Sequence, residues 1–342
     1  MTSDDRPGSR WSRGRFTWRR PIKPGGTWIR RHEALASLGL VAGYLTTFLV
    51  PRRLDPWLAT RLTDLFMRIR RGNVARTESL ITNRLGSWAA SFDMAAVTRG
   101  YYSGKFEYAV GRVRGMHPRA WDPQIEVEGG EHVEAALREG RGAILWRMDC
   151  GDTMLLQHAA WEQGWPLVQL SSAVHGVSDS QFGLRVGGPL YARPENAYLT
   201  ERVRVPADWS FGYLPRLIRA LHGNQVVAIL GEVVARQNVV VSVLGGTRPL
   251  PTGAPALAHR TGASLIPAAT VRDGRWRYRL KLGPPIDVDR SLRRREATDL
   301  ALAEFGRRME AVLVEHPGDW NGWWRLHVPS EAEDASAAEP AP

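Results

Sequence analysis

The chain has 342 residues, 43% hydrophobic and 24% charged, which excludes wholesale disorder and leaves room for one large core or two modest ones. Its formal charge of +11 rests almost wholly on arginine, with lysine only at Lys23, Lys105 and Lys281. That excess calls for a polyanionic partner, either nucleic acid or an anionic lipid leaflet. The single Cys150 excludes an internal disulfide and a cysteine-based metal site, and fits a reducing cytoplasm.

Residues 1–32 are polar, arginine-rich and broken by Gly and Pro, and predict a flexible basic arm. Residues 34–50 then run without a charge, bounded by Arg30 and Arg31 before and by Arg52 and Arg53 after. Their length is at the lower limit for a membrane span. A helix in the membrane plane and a buried core helix are the other readings. Basic residues on both sides argue against a cleaved signal peptide. Beyond residue 54, apolar residues recur at three- and four-residue spacing at Trp57, Leu58, Leu62, Leu65, Phe66 and Ile69, with Arg61, Arg68, Arg70 and Arg71 among them. A basic amphipathic helix beside an apolar segment predicts that 33–114 is a helical region lying on anionic headgroups.

From residue 115 the pattern changes. Short apolar strands are expected at 125–127, 143–146, 166–170, 226–230 and 265–271, with an alternating strand at 276–282. Helices are expected at 131–138, 151–163, 214–221 and 254–261, and a long one at 292–315. This alternation predicts an α/β fold over 115–328, a mostly parallel central sheet flanked by helices. Residues 329–342 are acidic and rich in Ala and Pro, and predict a disordered tail. Fourteen tryptophans suit a membrane interface, although each one alone reads as core. The clusters Trp11/Trp18/Trp28 and Trp320/Trp323/Trp324 lie beside arginines, which favours interface or groove roles.

Five blocks occur in an order that resembles the bacterial lipid A lauroyl/myristoyl and phosphatidylinositol mannoside acyltransferases. They are VEGGEHVEAALREGRGAILW (127–146), RALHGNQVVAILGE (219–232), VLGGTRPLPTGAPALAHRTGASLIPAATVR (243–272), YRLKLGPPIDV (278–288) and EHPGDWNGWWRLH (315–327). The resemblance implies transfer of a fatty acyl group from acyl-CoA or acyl-carrier protein to a hydroxyl of a glycolipid or lysolipid. It implies anionic lipids and the acyl donor as partners, no further cofactor, and a place on the cytoplasmic face of the bacterial inner membrane.

The departure lies in the catalytic motif. The family pattern places a His five positions before an Asp or Glu at a strand-to-helix junction, the His as general base and the carboxylate as its orienter. Here the junction reads LWRMDCGDTM over 145–154, so that Asp149 stands at the His position and Met154 at the carboxylate position. Asp149, Asp152 and His175 are therefore the catalytic candidates. Aspartate is a weak base unless burial raises its pKa, and Arg147 nearby opposes that rise. Cys150 is a conceivable nucleophile that reads better as a small buried residue, and His158 as a core or surface residue. The substrate-binding candidates are Arg147, Gly151, Arg193, Glu232, Arg236, Gly245, Gly246 and Thr247. The arginines would meet phosphate or headgroup oxygens, and the glycines would let backbone approach a thioester or phosphopantetheine arm, or else simply form a turn. A catalytically silent lipid-binding or partner protein on the same fold remains the alternative. Nucleic-acid binding is not expected, because no helix-turn-helix, zinc or RNA-binding pattern occurs.

Overall fold

The computed structural model describes residues 28, 31–116, 121–172, 180–206, 210–233, 235 and 237–328, without the side chains of 31–38, 40 and 184. Most of the expected basic arm, the tail 329–342, Trp11, Trp18, His175 and Arg236 lie outside the described residues.

The α/β unit is built on a seven-stranded sheet ordered β1-β9-β8-β2-β5-β3-β4. The strands are β1 (Gln124–Glu128), β2 (Ala143–Arg147), β3 (Leu167–Ser171), β4 (Glu201–Arg204), β5 (Val226–Leu230), β8 (Ser264–Arg272) and β9 (Arg277–Leu282). Every neighbouring pair is parallel except β8 with β9, which form an antiparallel ribbon. β6 (Asn238–Val243) and β7 (Gly246–Pro251) form a separate antiparallel hairpin. Its turn residues Leu244 and Gly245 both have positive φ, 52° and 72°, the backbone of a tight two-residue hairpin turn.

Every residue of β2 is buried, as expected of a central parallel strand covered on both faces. Ala143 and Leu145 face the layer formed by α5 (Gly130–Arg138) and α6 (Thr153–Glu162), where they meet Val133, Leu156 and Ala160. Ile144 and Trp146 face the opposite layer, formed by α8 (Leu214–His222), α9 (Gly253–Thr261) and α10 (Arg294–Glu315). There Trp146 stacks on Phe305 of α10, with centroids 3.9 Å apart and planes 11° from parallel. Full burial of side chains of this size contributes about 1.5–3 kcal/mol each.

The N-terminal region contains α1 (Arg31–Leu49), α2 (Asp55–Ile69), α3 (Arg71–Leu85) and α4 (Met94–Gly115). Pro56 opens α2, and the Asp93 carboxylate caps α4 by accepting the Ala96 N–H at 3.1 Å. Ile81 and Leu85 of α3 and Tyr101 and Tyr102 of α4 join the same apolar cluster as Trp146 and Phe305. Arg114 fastens three pieces together. Its guanidinium grips buried Asp55 through both oxygens, at 2.6–3.0 Å, and donates to the Thr47 and Val50 carbonyls at the end of α1.

No helix among the described residues is long and apolar enough to cross a membrane. On α1, Val41, Leu45, Phe48 and Leu49 are exposed, and on or before α2 so are Leu54, Trp57, Leu65 and Ile69. Arg52, Arg53, Arg61, Arg68 and Arg70 are exposed among them. In the C-terminal cluster Trp320 and Trp323 are fully buried, whereas Trp324 is exposed. Their arginine neighbours therefore did not signal an interface for two of the three.

Two segments differ from the sequence expectation. Around Arg193, where the family resemblance implies a loop, the chain forms a π-helical turn (Gly183–Gly187) running into α7 (Gly188–Asn196). No strand is expected over 238–251, which form the β6–β7 hairpin with Gly245 in its turn.

Candidate active site

β2 delivers its last residues into a loop, 148–152, at the carboxyl end of the parallel sheet, where α/β folds place ligands. Gly151 turns that loop with φ +57°, and a Cβ there would stand 2.5 Å from the Thr270 carbonyl oxygen, so only glycine fits. A C-terminal segment lies antiparallel against it. Gly151 N–H donates to the Asp319 carbonyl (2.9 Å), Asn321 N–H donates to the Asp149 carbonyl (2.8 Å), and Cys150 bridges Trp320. Burial pushes the Cys150 thiol up, with Glu232, Asp319 and Asp149 adding to the effect, so it is a thiol rather than a nucleophilic thiolate.

The loop separates its two acids. Asp149 turns toward the C-terminal segment, where Arg325 donates to its carboxylate, and its backbone N–H donates to Glu232 Oε1 at 2.6 Å. Glu232 sits just beyond β5 with its side chain fully buried. It also accepts from Trp320 Nε1 (2.9 and 3.1 Å) and from Arg248 Nη2 (3.1 Å), a buried cation of β7. Burial raises the Glu232 carboxyl, while Arg248 opposes that rise. Glu232 therefore holds the loop, the hairpin and the C-terminal segment together.

Asp152 turns the other way. It caps α6 by accepting the Met154 N–H at 2.8 Å, but its second oxygen is buried without a hydrogen-bond partner among the described residues. Burial pushes this carboxyl up to about 7, against the pull of Arg112, the Met154 N–H and Arg147. Arg112 of α4 lies buried between two tyrosines, 3.7 Å from the Tyr191 ring centroid and 4.5 Å from that of Tyr108. It donates to Glu195 Oε1 (2.6 Å) and to the Tyr191 carbonyl (2.5 Å). Burial works against its charge, but the surrounding Tyr108, Tyr191, Asp152 and Glu195 outweigh that and hold it cationic. The Tyr108 and Tyr191 hydroxyls touch each other, and burial raises both phenols. Arg147, also buried, donates to Thr153 Oγ1 at 2.5 Å.

Of the expected site residues, the structure thus brings Arg147, Asp149, Gly151, Asp152 and Glu232 to one end of the sheet. Arg193 is on the exposed side of α7. Gly245, Gly246 and Thr247 form the hairpin turn and the start of β7, where Thr247 pairs with His327. Arg112, Tyr108, Tyr191 and Glu195 were not singled out by the sequence. The signal that could have found Arg112 is an arginine in the run of apolar and small residues ending α4. Met154 and His158 are buried in α6, and His158 packs among Trp121, Trp161 and Tyr198. Two surface clefts of about 380 and 360 Å³ lie between α2 and α3 and beside α10, and neither is lined by residues 147–154. No group of His, Cys, Asp and Glu among the described residues is arranged to hold a metal ion.

Residues 205–325 match the family described as bacterial lipid A biosynthesis acyltransferase. The phosphatidylinositol mannoside acyltransferase of Mycobacterium tuberculosis is 26% identical over 233 residues. Over these residues the chain is similar to this acyltransferase family. The alignment covers 64% of this chain and 65% of that relative, just under two thirds of the relative's length. Among solved structures, the 1-acyl-sn-glycerophosphate acyltransferase PlsC of Thermotoga maritima superposes over 77% of this chain and 99% of its own, at 15% identity and a TM-score of 0.35. Within the family match lie β5 with Glu232, the β6–β7 hairpin, β8, β9, α10 and Trp320. The loop that carries Asp149 and Asp152 precedes it.

Proposed function

We propose that this protein is a membrane-surface acyltransferase that moves a fatty acyl group from a thioester donor to a lipid-borne hydroxyl, with Asp152 as the general base. The observation that carries the reading is the state of Asp152. A carboxyl held near 7, with one oxygen unpartnered at the strand-to-helix junction, is matched to proton abstraction at neutral pH. Asp149 is suited instead to loop position, because Arg325 already occupies its carboxylate.

In this reading the acceptor hydroxyl adds to the thioester carbonyl as its proton passes to Asp152. The buried cations Arg112 and Arg147 stabilise the oxyanion of the tetrahedral intermediate, which collapses with cleavage of the C–S bond. The departing thiolate takes up the proton held by Asp152, so an ester and a free thiol result and the carboxylate is restored. The exposed apolar residues of α1 and α2, set among arginines, lie on the anionic leaflet that carries the acceptor, each arginine adding about 1 kcal/mol near such a surface. The donor is acyl-CoA or acyl-carrier protein and the acceptor a glycolipid or lysolipid, at the cytoplasmic face of the inner membrane.

One observation favours a second reading. At the two positions that answer to the family motif, Asp149 is tied to Arg325 and Met154 is buried in α6, which suits a silent fold that binds lipid without transferring acyl groups. The two are separated by incubating purified protein with acyl-CoA, or acyl-carrier protein, and anionic vesicles containing lysolipid and glycolipid acceptors, and detecting ester product by mass spectrometry. Product formation supports the enzyme; vesicle binding without product for any acceptor supports the silent fold.

A further inference from the structure

Among the described residues, the element made of the π-helical turn 183–187 and α7 packs against the buried cluster around Asp152. Its inner face carries Tyr191 and Glu195, which hold Arg112, and Pro194, which packs near Gly115 of α4. Ser180 Oγ caps the start of the element by accepting the Gly183 N–H at 2.8 Å. Beyond that cap the π turn interrupts the ordinary α-helical ladder, and Pro189 and Pro194 lack N–H donors.

The outer face is different in kind. Arg185, Val186, Pro189, Leu190 and Arg193 are all exposed. Val186, Leu190 and Arg193 follow one another at i, i+4 and i+7, which sets them on one stripe. Val186 is 46% exposed and Leu190 37%, with a cation at either end of the stripe. The element adjoins the apolar surface of the N-terminal region at two points. Phe182 N–H donates at 2.9 Å to the carbonyl of Trp28, itself 59% exposed, just ahead of α1. At the other end Pro194 reaches Gly115, beside Val113, which meets Gly43 of α1, and Arg114, which holds the end of α1 and Asp55 of α2.

We propose that this outer face is a second lipid-docking surface, continuous with that of α1 and α2, and that docking on an anionic leaflet lifts α7 from α4 and opens the Asp152 cluster to a lipid-borne hydroxyl. The inference rests on the membrane-bound reading given above. A surface can drive the change only if it binds the open form better. Val186 and Leu190, exposed already in the closed form, seat the outer face on the leaflet without favouring either form. The difference lies in Arg112. Arg112, released from Glu195 and the Tyr191 carbonyl, exchanges them for headgroup phosphate oxygens, which take a guanidinium in the same forked manner.

The test uses spin labels on single and paired cysteines in the full chain; Cys150 is buried and remains unlabelled. Labels at Phe48→Cys and Leu190→Cys report immersion by power saturation, and the pair Glu134→Cys/Leu190→Cys reports the distance from α5 to α7. On vesicles containing phosphatidylglycerol, both single labels should become immersed and the 134–190 distance should shift to a longer population absent in solution and on phosphatidylcholine vesicles. Immersion at 48 with position 190 left in water overturns this proposal while leaving the membrane reading standing. Immersion at 190 with an unchanged distance overturns the gate. If neither label is immersed, the membrane reading itself fails.

Discussion

Asp152→Asn should make the protein more stable at alkaline pH while leaving the start of α6 capped. The amide keeps the oxygen that accepts the Met154 N–H and removes the carboxyl proton from consideration. In the fold the carboxyl titrates at about 7 rather than the usual 3.8, so the folded chain holds this proton more tightly than the unfolded chain. Its contribution is complete below about pH 3.8 and is lost as pH rises through about 7. At about 1.36 kcal/mol per pH unit, the ionised form costs the fold roughly 4 kcal/mol, of which about 2–3 kcal/mol is lost between about pH 5 and pH 8. For a chain of this length that corresponds to about 4 °C in Tm. Thermal melts of both proteins from about pH 5 to 8 should therefore diverge, the variant gaining about 4 °C on the wild type over that range. Melting curves that stay parallel would refute the claim that Asp152 is held neutral by burial.

Other perturbations test the frame around the site. Gly151→Ala should displace the 148–152 loop and cost about 1–3 kcal/mol in urea unfolding, because the methyl meets the Thr270 carbonyl and φ is positive. Arg114→Ala leaves Asp55 buried and unpaired, and should cost about 3–5 kcal/mol with loss of protease resistance in α1 and α2. Phe48→Glu combined with Trp57→Glu should lower binding to anionic vesicles at least tenfold in a flotation assay without changing Tm. Raising salt to about 0.5 M should weaken wild-type vesicle binding without abolishing it, because screening removes the arginine contribution and leaves apolar insertion.

The sheet was legible because its central strands, such as AILW at 143–146 and VVAIL at 226–230, are buried on both faces and so read as unbroken apolar runs. The β6–β7 hairpin was not, since glycines and prolines in LGGTRPLP resemble a loop until Val241, Val243 and Leu250 are seen packed in the core. α7 was hidden for a related reason: a helix with Gly188, Pro189 and Pro194 has little intrinsic propensity, and it is held by what Tyr191 and Glu195 touch. Within the site, sequence spacing located the junction and drew attention to Asp149 through the family motif. It offered no way to tell that Asp149 faces Arg325 while Asp152, three residues on, faces Arg112. That distinction depends on Arg325, 176 positions from Asp149, and on Arg112 of α4, far from Asp152 in the chain. Trp320 and Trp323 teach the same lesson, since adjacent arginines in sequence did not keep either ring at the surface.

The role of Asp152 as base is tested most directly by the initial rate of acyl transfer to vesicle-borne acceptor as a function of pH, for wild type, Asp152→Asn and Asp149→Asn. With Asp152 as base, wild-type kcat/KM rises with pH to a plateau above about 7. Asp152→Asn should fall by about 10²–10⁴ while keeping vesicle affinity, and Asp149→Asn should keep the wild-type pH profile. Full activity in Asp152→Asn, or loss confined to Asp149→Asn, would contradict it.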